Sequence, residues 1–148
     1  NTQMVHVPYK GGLPALNDVI AGQVQLLFST VIQALPFIKA GRLKPIAVGS
    51  PKRAPSLPQV ATIHESGVTG YDVTNWFGLL APGGTPQVII AKLNAEIVKH
   101  LQSPELAQRL ATEGAEPVTG APADFEKVIR ADIAKYVRVV KSANIGVQ

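Results

Sequence analysis

The first 50 residues of the chain switch repeatedly between two hydrophobic periods. Alternating or β-branched apolar residues predict strands in three segments: residues 3–9, 23–28 and 43–50. Apolar residues at helical spacing predict two helices between them: residues 13–22 and 30–41. Gly22 and Gly41 are typical of helix ends, and Pro36 is expected to kink or divide the second helix. This alternation predicts an α/β fold with a parallel or mixed sheet.

The rest of the sequence is organised differently. Three prolines and two glycines in residues 51–70 predict a long connection, which is a candidate hinge. Residues 71–82 predict an extended strand, in which we expect Trp76 to be buried. The last 65 residues are mostly helical in pattern, an unusual sequel to a strand-and-helix region.

Helix start signals divide this last region into three helices. Thr85 before Pro86 and Ser103 before Pro104 each predict an N-cap followed by a proline in the first turn. The last helix is predicted over residues 122–143. Its predicted buried face consists of Phe125, Val128, Ile129, Ile133, Val137 and Val140.

Composition narrows the classes of function. The 148 residues are 46% hydrophobic and 16% charged, a globular balance that excludes disorder. The absence of cysteine excludes disulfides and thiolate metal sites, and no apolar run approaches the roughly 20 residues that cross a bilayer. The net charge of +4 is too sparsely spread for a nucleic-acid surface, so we expect no nucleic-acid partner. Because the chain starts at Asn1 inside a predicted strand, we expect a piece of a longer protein.

Signs of catalysis are weak. The histidines His6, His64 and His100 are far apart, none has metal-ligand spacing, and no nucleophile elbow occurs. The adjacent His64 and Glu65 leave one alternative open, a small-acid hydrolase or isomerase.

The stretch "VPYKGGLPAL" joins a predicted strand to a predicted helix through two glycines. A glycine loop at a helix N-terminus presents free N–H groups and the positive end of the helix dipole to an anion. The stretch does not fit the phosphate loop, since Lys10 precedes the glycines, and it does not fit the dinucleotide fingerprint. A tight turn and an anion-binding loop both remain open from these residues alone.

Most of the chain resembles the substrate-binding proteins of tripartite tricarboxylate transporters, the Bug-type periplasmic receptors. The matching segments are "VPYKGGLPALNDVIAGQVQLLF", "AGRLKPIAVGSPKRAPSLPQVATIHESGVTGYDVTNWFGLLAPGGTPQVIIAKLNAEI" and "LATEGAEPVTGAPADFEKVI". The resemblance implies a fragment of a two-lobed, type II Venus-flytrap binding protein, without enzymatic activity or cofactor. It also implies a periplasmic location, a small carboxylate ligand and a membrane permease as partner.

The resemblance assigns residues 1–72 to the later part of the second, ligand-binding lobe. It assigns residues 73–148 to a crossover strand and the C-terminal helices of the first lobe. The implied ligand-binding residues are Tyr9, Lys10, Gly11, Gly12, Leu13, Pro14, Ala15, Ser29 and Thr30. Many relatives carry an acid at the position of Ser29, and the serine here favours ligands other than amino acids. A fragment of this kind leaves a second alternative, a non-binding piece that self-associates, for example as a homodimer.

Overall fold

The computed structural model describes residues 3–145 and divides this range into two units. The five helices in this range are α1 (Gly12–Ile20), α2 (Val31–Lys39), α3 (Gln87–Leu101), α4 (Pro104–Glu113) and α5 (Pro122–Ser142). The first unit runs as far as Leu79 and takes in Gln108–Glu116, and the second contains Leu80–Ala107 and the residues from Pro117 onward. The ends of the two predicted lobe portions, residues 1–2 and 146–148, lie outside the described range. The assignment of residues 1–72 and 73–148 to two lobes stays a prediction.

The predicted sheet is not formed within residues 3–145. No strand occurs in the four segments where one was predicted: residues 3–9, 23–28, 43–50 and 71–82. The pairing in this range is one parallel bridge between Val48 and Thr62, in which Val48 N–H donates to Ala61 O at 3.0 Å. Alternating hydrophobicity expresses a preference for extended backbone, but a ladder forms only where a second strand lies about 4.8 Å away. These segments therefore run extended or bent. Where they meet a neighbour they do so at single points, such as Gly49, whose carbonyl accepts from Val73 N–H at 2.9 Å.

Local signals set the ends of α1 and α2 as predicted. Gly22 and Gly41 follow the two helices with φ of 78° and 69°, values that favour glycine. Thr30 caps α2, since its Oγ1 accepts a hydrogen bond from Gln33 N–H at 3.3 Å. Pro36 lies inside α2 without dividing it.

The first unit has a buried apolar core. Its central cluster consists of Leu35, Val48, Leu57 and Val60, against which Val31, Ile38 and Ala54 pack. Ala15 and Leu16 bury the inner face of α1. Trp76, predicted to be buried, instead keeps 38% of its surface exposed. The core thus fixes α2 and the connection after it.

The second unit is built on α3, α5 and the start of α4. Thr85 was predicted to cap α3, but Pro86 takes that position and Thr85 Oγ1 donates to Pro82 O at 2.8 Å, closing the preceding turn. Ser103 does cap α4 weakly, accepting from Leu106 N–H at 3.4 Å. Asn94 Nδ2 on α3 donates to Gly120 O just before α5, at 3.1 Å.

The predicted buried face of α5 is largely exposed. Val128, Ile133, Val137 and Val140 are between 39% and 59% exposed, and Phe125 and Ile129 are only half-buried. No residue of the second unit is buried in the part of the chain that the structure describes. The prediction of burial was wrong because an apolar stripe shows which face a helix could bury, while burial itself needs an opposing surface.

Candidate functional site

The glycine loop is anchored to α1 by a side-chain hydrogen bond. Tyr9 Oη donates to Asp18 Oδ2 at 2.6 Å and so ties the residue before the loop to the second half of α1. This hydrogen bond, with lesser contributions from desolvation and the Asp18 charge, raises the pKa of Tyr9 above its ordinary value. Gly11 has φ of 153°, which a residue with a side chain rarely adopts. The loop conformation therefore depends on both Tyr9 and Gly11.

The first turn of α1 is uncapped. Gly11 is the N-cap residue and has no side chain to accept a hydrogen bond. Within residues 3–145, the N–H groups of Gly11, Gly12 and Leu13 donate to no protein acceptor, and Pro14 has no N–H. Free N–H groups at a helix N-terminus favour an anion, and their dipole adds to the effect.

The remaining predicted residues of the loop contribute in different ways. Lys10 is exposed and forms no ion pair within the described range, so its ammonium is available at the edge of the loop. The Leu13 side chain is 59% exposed. Ala15 is 4% exposed and packs inward, so its methyl group holds the helix in place and cannot face a ligand.

The start of α2 lies beside the start of α1. A methyl group added at Gly12 would lie 2.8 Å from Oε1 of Gln33, the third residue of α2. Ser29 and Thr30 immediately precede α2, and Ser29 is exposed whereas Thr30 is half-buried. Because Thr30 Oγ1 already accepts the Gln33 N–H, the hydroxyl of Thr30 is left to donate. The structure thus places the side chain of Gln33, in the first turn of the helix that Thr30 caps, against Gly12 of the predicted loop.

Sequence reasoning missed Gln33. Its amide approaches Gly12 so closely that the glycine is needed for space, although Gly12 itself has ordinary helical backbone. The available signal was position, since Gln33 is the third residue of a helix that starts directly after Ser29 and Thr30. Side chains at that position lean back towards the helix N-terminus.

His64 and Glu65 both close the loop in which they lie. His64 Nδ1 accepts a hydrogen bond from Gly70 N–H at 2.9 Å. Glu65 Oε2 accepts from Thr62 N–H at 2.8 Å and pairs with Arg53 Nε at 3.0 Å. The Thr62 hydrogen bond first, and then Arg53, lower the pKa of Glu65. These contacts make Arg53 a loop-anchoring residue and give His64 and Glu65 a structural role.

Other candidate features of the described chain carry no predicted ligand residue. A groove of about 400 Å³ in the first unit is lined by α2 and the end of α4, including Leu35, Lys39 and Glu113. Within residues 3–145, no group of three or more histidine and carboxylate side chains could hold a metal ion. None of the described helices is long and apolar enough to span a membrane.

Comparison with known families decides the wider context of this site. Residues 1–145 match the family described as "Tripartite tricarboxylate transporter family receptor". The chain belongs to this receptor family. Members are receptor components of transport systems, in agreement with the predicted family and with the prediction of a binding protein without catalysis.

Two curated relatives illustrate the coverage. The chain is 34% identical over 141 residues to the UPF0065 protein of the tcbD-tcbE intergenic region of Pseudomonas sp. strain P51, covering 95% of this chain and 42% of that protein. It is 33% identical over 135 residues to Protein BugT of Bordetella pertussis, covering 91% of this chain and 41% of BugT. The chain therefore spans less than half the length of these two relatives.

Solved structures of relatives share the fold. Rpa4515 of R. palustris with adipate has a TM-score of 0.86 at 39% identity, over 93% of this chain and 46% of that protein. The periplasmic binding protein BugD has a TM-score of 0.86 at 32% identity, over 99% of this chain and 50% of that protein. MatC of Rhodopseudomonas palustris with bound malate has a TM-score of 0.79 at 34% identity, over 90% of this chain and 47% of that protein. The chain is thus a fragment of the Bug-type periplasmic binding protein fold.

Proposed function

We propose that the chain forms part of a solute receptor that captures a small dicarboxylate for uptake. The observation that carries this proposal is the uncapped first turn of α1, which lies beside the first turn of α2. The chain's membership of a receptor family supports it. Two relatives with the same fold were solved with adipate and with malate, both dicarboxylates. The free N–H groups of Gly11, Gly12 and Leu13 would hold one carboxylate of such a ligand.

Side chains around this turn would complete the contact. The Ser29 and Thr30 hydroxyls can donate to a carboxylate oxygen, and the Lys10 ammonium adds a favourable charge at the edge. The positive excess of the first 70 residues would attract an anion to this part of the surface. The site needs no covalent chemistry, metal or cofactor for this role.

The wider setting follows from the family and is part of the proposal. We infer that the receptor works in the periplasm, as BugD does, and delivers its ligand to the membrane permease of a tripartite tricarboxylate transporter. The ligand would lie between two lobes, one of which contains residues 1–72. Homodimer formation stays a prediction, and the loop-closing hydrogen bonds of His64 and Glu65 give the hydrolase alternative no support.

Calorimetry on the full-length gene product tests the proposal. Adipate and malate should bind, whereas adipamide, which has the length of adipate but no charge, should not. Gly12→Val should weaken dicarboxylate binding at least about 10-fold, because a side chain there obstructs the free N–H groups and meets Gln33.

Gly83→Val is the matched control, since a side chain at Gly83 meets nothing within 4 Å and the backbone there is ordinary. An unchanged dicarboxylate affinity in Gly12→Val would show that the loop is not part of the binding site. Equal affinity for adipate and adipamide would show that no carboxylate is recognised.

A further inference from the structure

Gln33 reaches from α2 to the first turn of α1. A methyl group on Gly12 would lie 2.8 Å from Gln33 Oε1 and 3.5 Å from Gln33 Nε2. Only the end of the side chain is this close, so the carboxamide itself lies against the N-terminus of α1. The glycine leaves the space that the amide fills.

The carboxamide still has hydrogen bonds to make. The backbone N–H of Gln33 is used by Thr30 Oγ1, but the side-chain amide has no hydrogen-bond partner among residues 3–145. A carboxamide offers two N–H donors and one accepting oxygen. The residue is half-buried, so a ligand held by the first turn of α1 could replace water as the partner of this amide.

We propose that Gln33 is a ligand-binding residue, whose Nε2–H donates to the same carboxylate that the first turn of α1 holds. This inference rests on the proposed function and adds a side-chain donor to its backbone donors. A neutral amide suits the position, because it can donate a hydrogen bond to an anion and does not titrate. A glutamate of the same shape would place a like charge there.

Isosteric substitution tests the contact. Gln33→Glu should lower the affinity of the full-length gene product for adipate about 100-fold or more, because the new carboxylate repels the ligand. Gln33→Leu, which removes the donor but keeps the bulk, should lower it about 10- to 100-fold. Gln59→Glu is the matched control, since it adds the same charge at an exposed position of the same unit and should change affinity less than about twofold.

A double-mutant cycle with Gly12 tests the geometry. Gly12→Ala should push the amide aside, which is an inexpensive change because only the end of a flexible side chain must move. Its loss of affinity should therefore be much smaller in the Gln33→Leu background than in the wild type. The side-chain NH₂ resonance of Gln33 should also shift when adipate is added.

The outcomes separate this inference from the proposed function. If adipate binds the wild type and both Gln33 variants equally well, Gln33 is not a ligand contact, and the proposed function stands. If Gln33→Glu and Gln59→Glu weaken binding equally, the effect is one of overall charge and the inference fails. If neither adipate nor malate binds the wild type, the proposed function fails and the inference with it.

Discussion

The two units of this chain differ in what they bury. The first unit encloses a cluster that includes Leu35, Val48 and Val60, each at most 7% exposed. In the second unit, no described residue is buried, although α3 and α5 carry helical stripes of apolar residues. Both units have strong sequence patterns, so the pattern alone does not explain the difference.

The difference shows that helix formation depends on local contacts, whereas core formation depends on a second surface that packs against the helix. α5 has its own local supports, since Asp124 Oδ2 accepts from Ala121 N–H at 3.3 Å and Glu126 pairs with Arg130 at 2.6 Å. Such contacts hold a helix together, but each exposed pair is worth at most about 1 kcal/mol. In the first unit, the Pro-rich connection folds back on α2 and supplies the second surface that a core needs.

The largest expected contrast comes from matched leucines. Leu35→Ala should reduce the free energy of unfolding by about 2–5 kcal/mol, because Leu35 is 2% exposed within the core. Leu93→Ala on α3 should cost less than about 1 kcal/mol, because Leu93 is 49% exposed. Urea unfolding of both variants measures the two values. A cost for Leu93→Ala as large as that for Leu35→Ala would show that the apolar face of the second unit is covered in solution.

Matched glycines give a smaller contrast. Gly114 and Gly84 have φ of 82° and 83°, so alanine strains both backbones by about 1–2 kcal/mol. Gly114→Ala should reduce the free energy of unfolding by about 1–3 kcal/mol more than Gly84→Ala does. The added methyl group would lie 2.8 Å from Val31 Cγ1 and 3.1 Å from Leu35 Cδ2. A methyl group on Gly84 meets nothing within 4 Å.

The shift of the urea midpoint tests this second contrast. Equal shifts for the two alanine variants would mean that the end of α4 does not pack against α2.

The smallest contrast concerns two carboxylates and pH. The Thr62 N–H first and Arg53 second lower the pKa of Glu65 in the first unit, while Lys127 is the main cause that lowers the pKa of Asp124 in the second. A carboxyl with a lower pKa in the folded than in the unfolded state stabilises above its unfolded-state pKa. That contribution is lost as pH falls through the folded-state pKa.

Thermal unfolding between pH about 6 and about 3 measures these contributions. Glu65→Gln should flatten the acid decline of the melting temperature more than Asp124→Asn, because Glu65 also closes a loop across 12 residues to Arg53. A steeper acid decline in Glu65→Gln than in the wild type would contradict the assigned direction.

Much of the candidate site could be predicted from sequence. The glycines at 11 and 12 and the prolines and caps around α1 and α2 act locally, so they mark the loop and both helix starts in advance. The nearness of Gly12 to Gln33 could not be predicted, because it depends on how α1 and α2 pack against each other. The hydrogen bond between Tyr9 and Asp18 could not be predicted either, because it joins the residue before the loop to the second half of α1.

Local sequence signals set where this chain forms helices and where most of them end, because caps, prolines and glycines act through the backbone within one turn. The sequence also determined the family, through motifs spread over nearly the whole length. Which apolar stripes are buried depends on how the elements pack, since burial needs an opposing surface. The tertiary arrangement also left the predicted strands without a ladder within residues 3–145, because a strand's hydrogen bonds need a neighbouring strand.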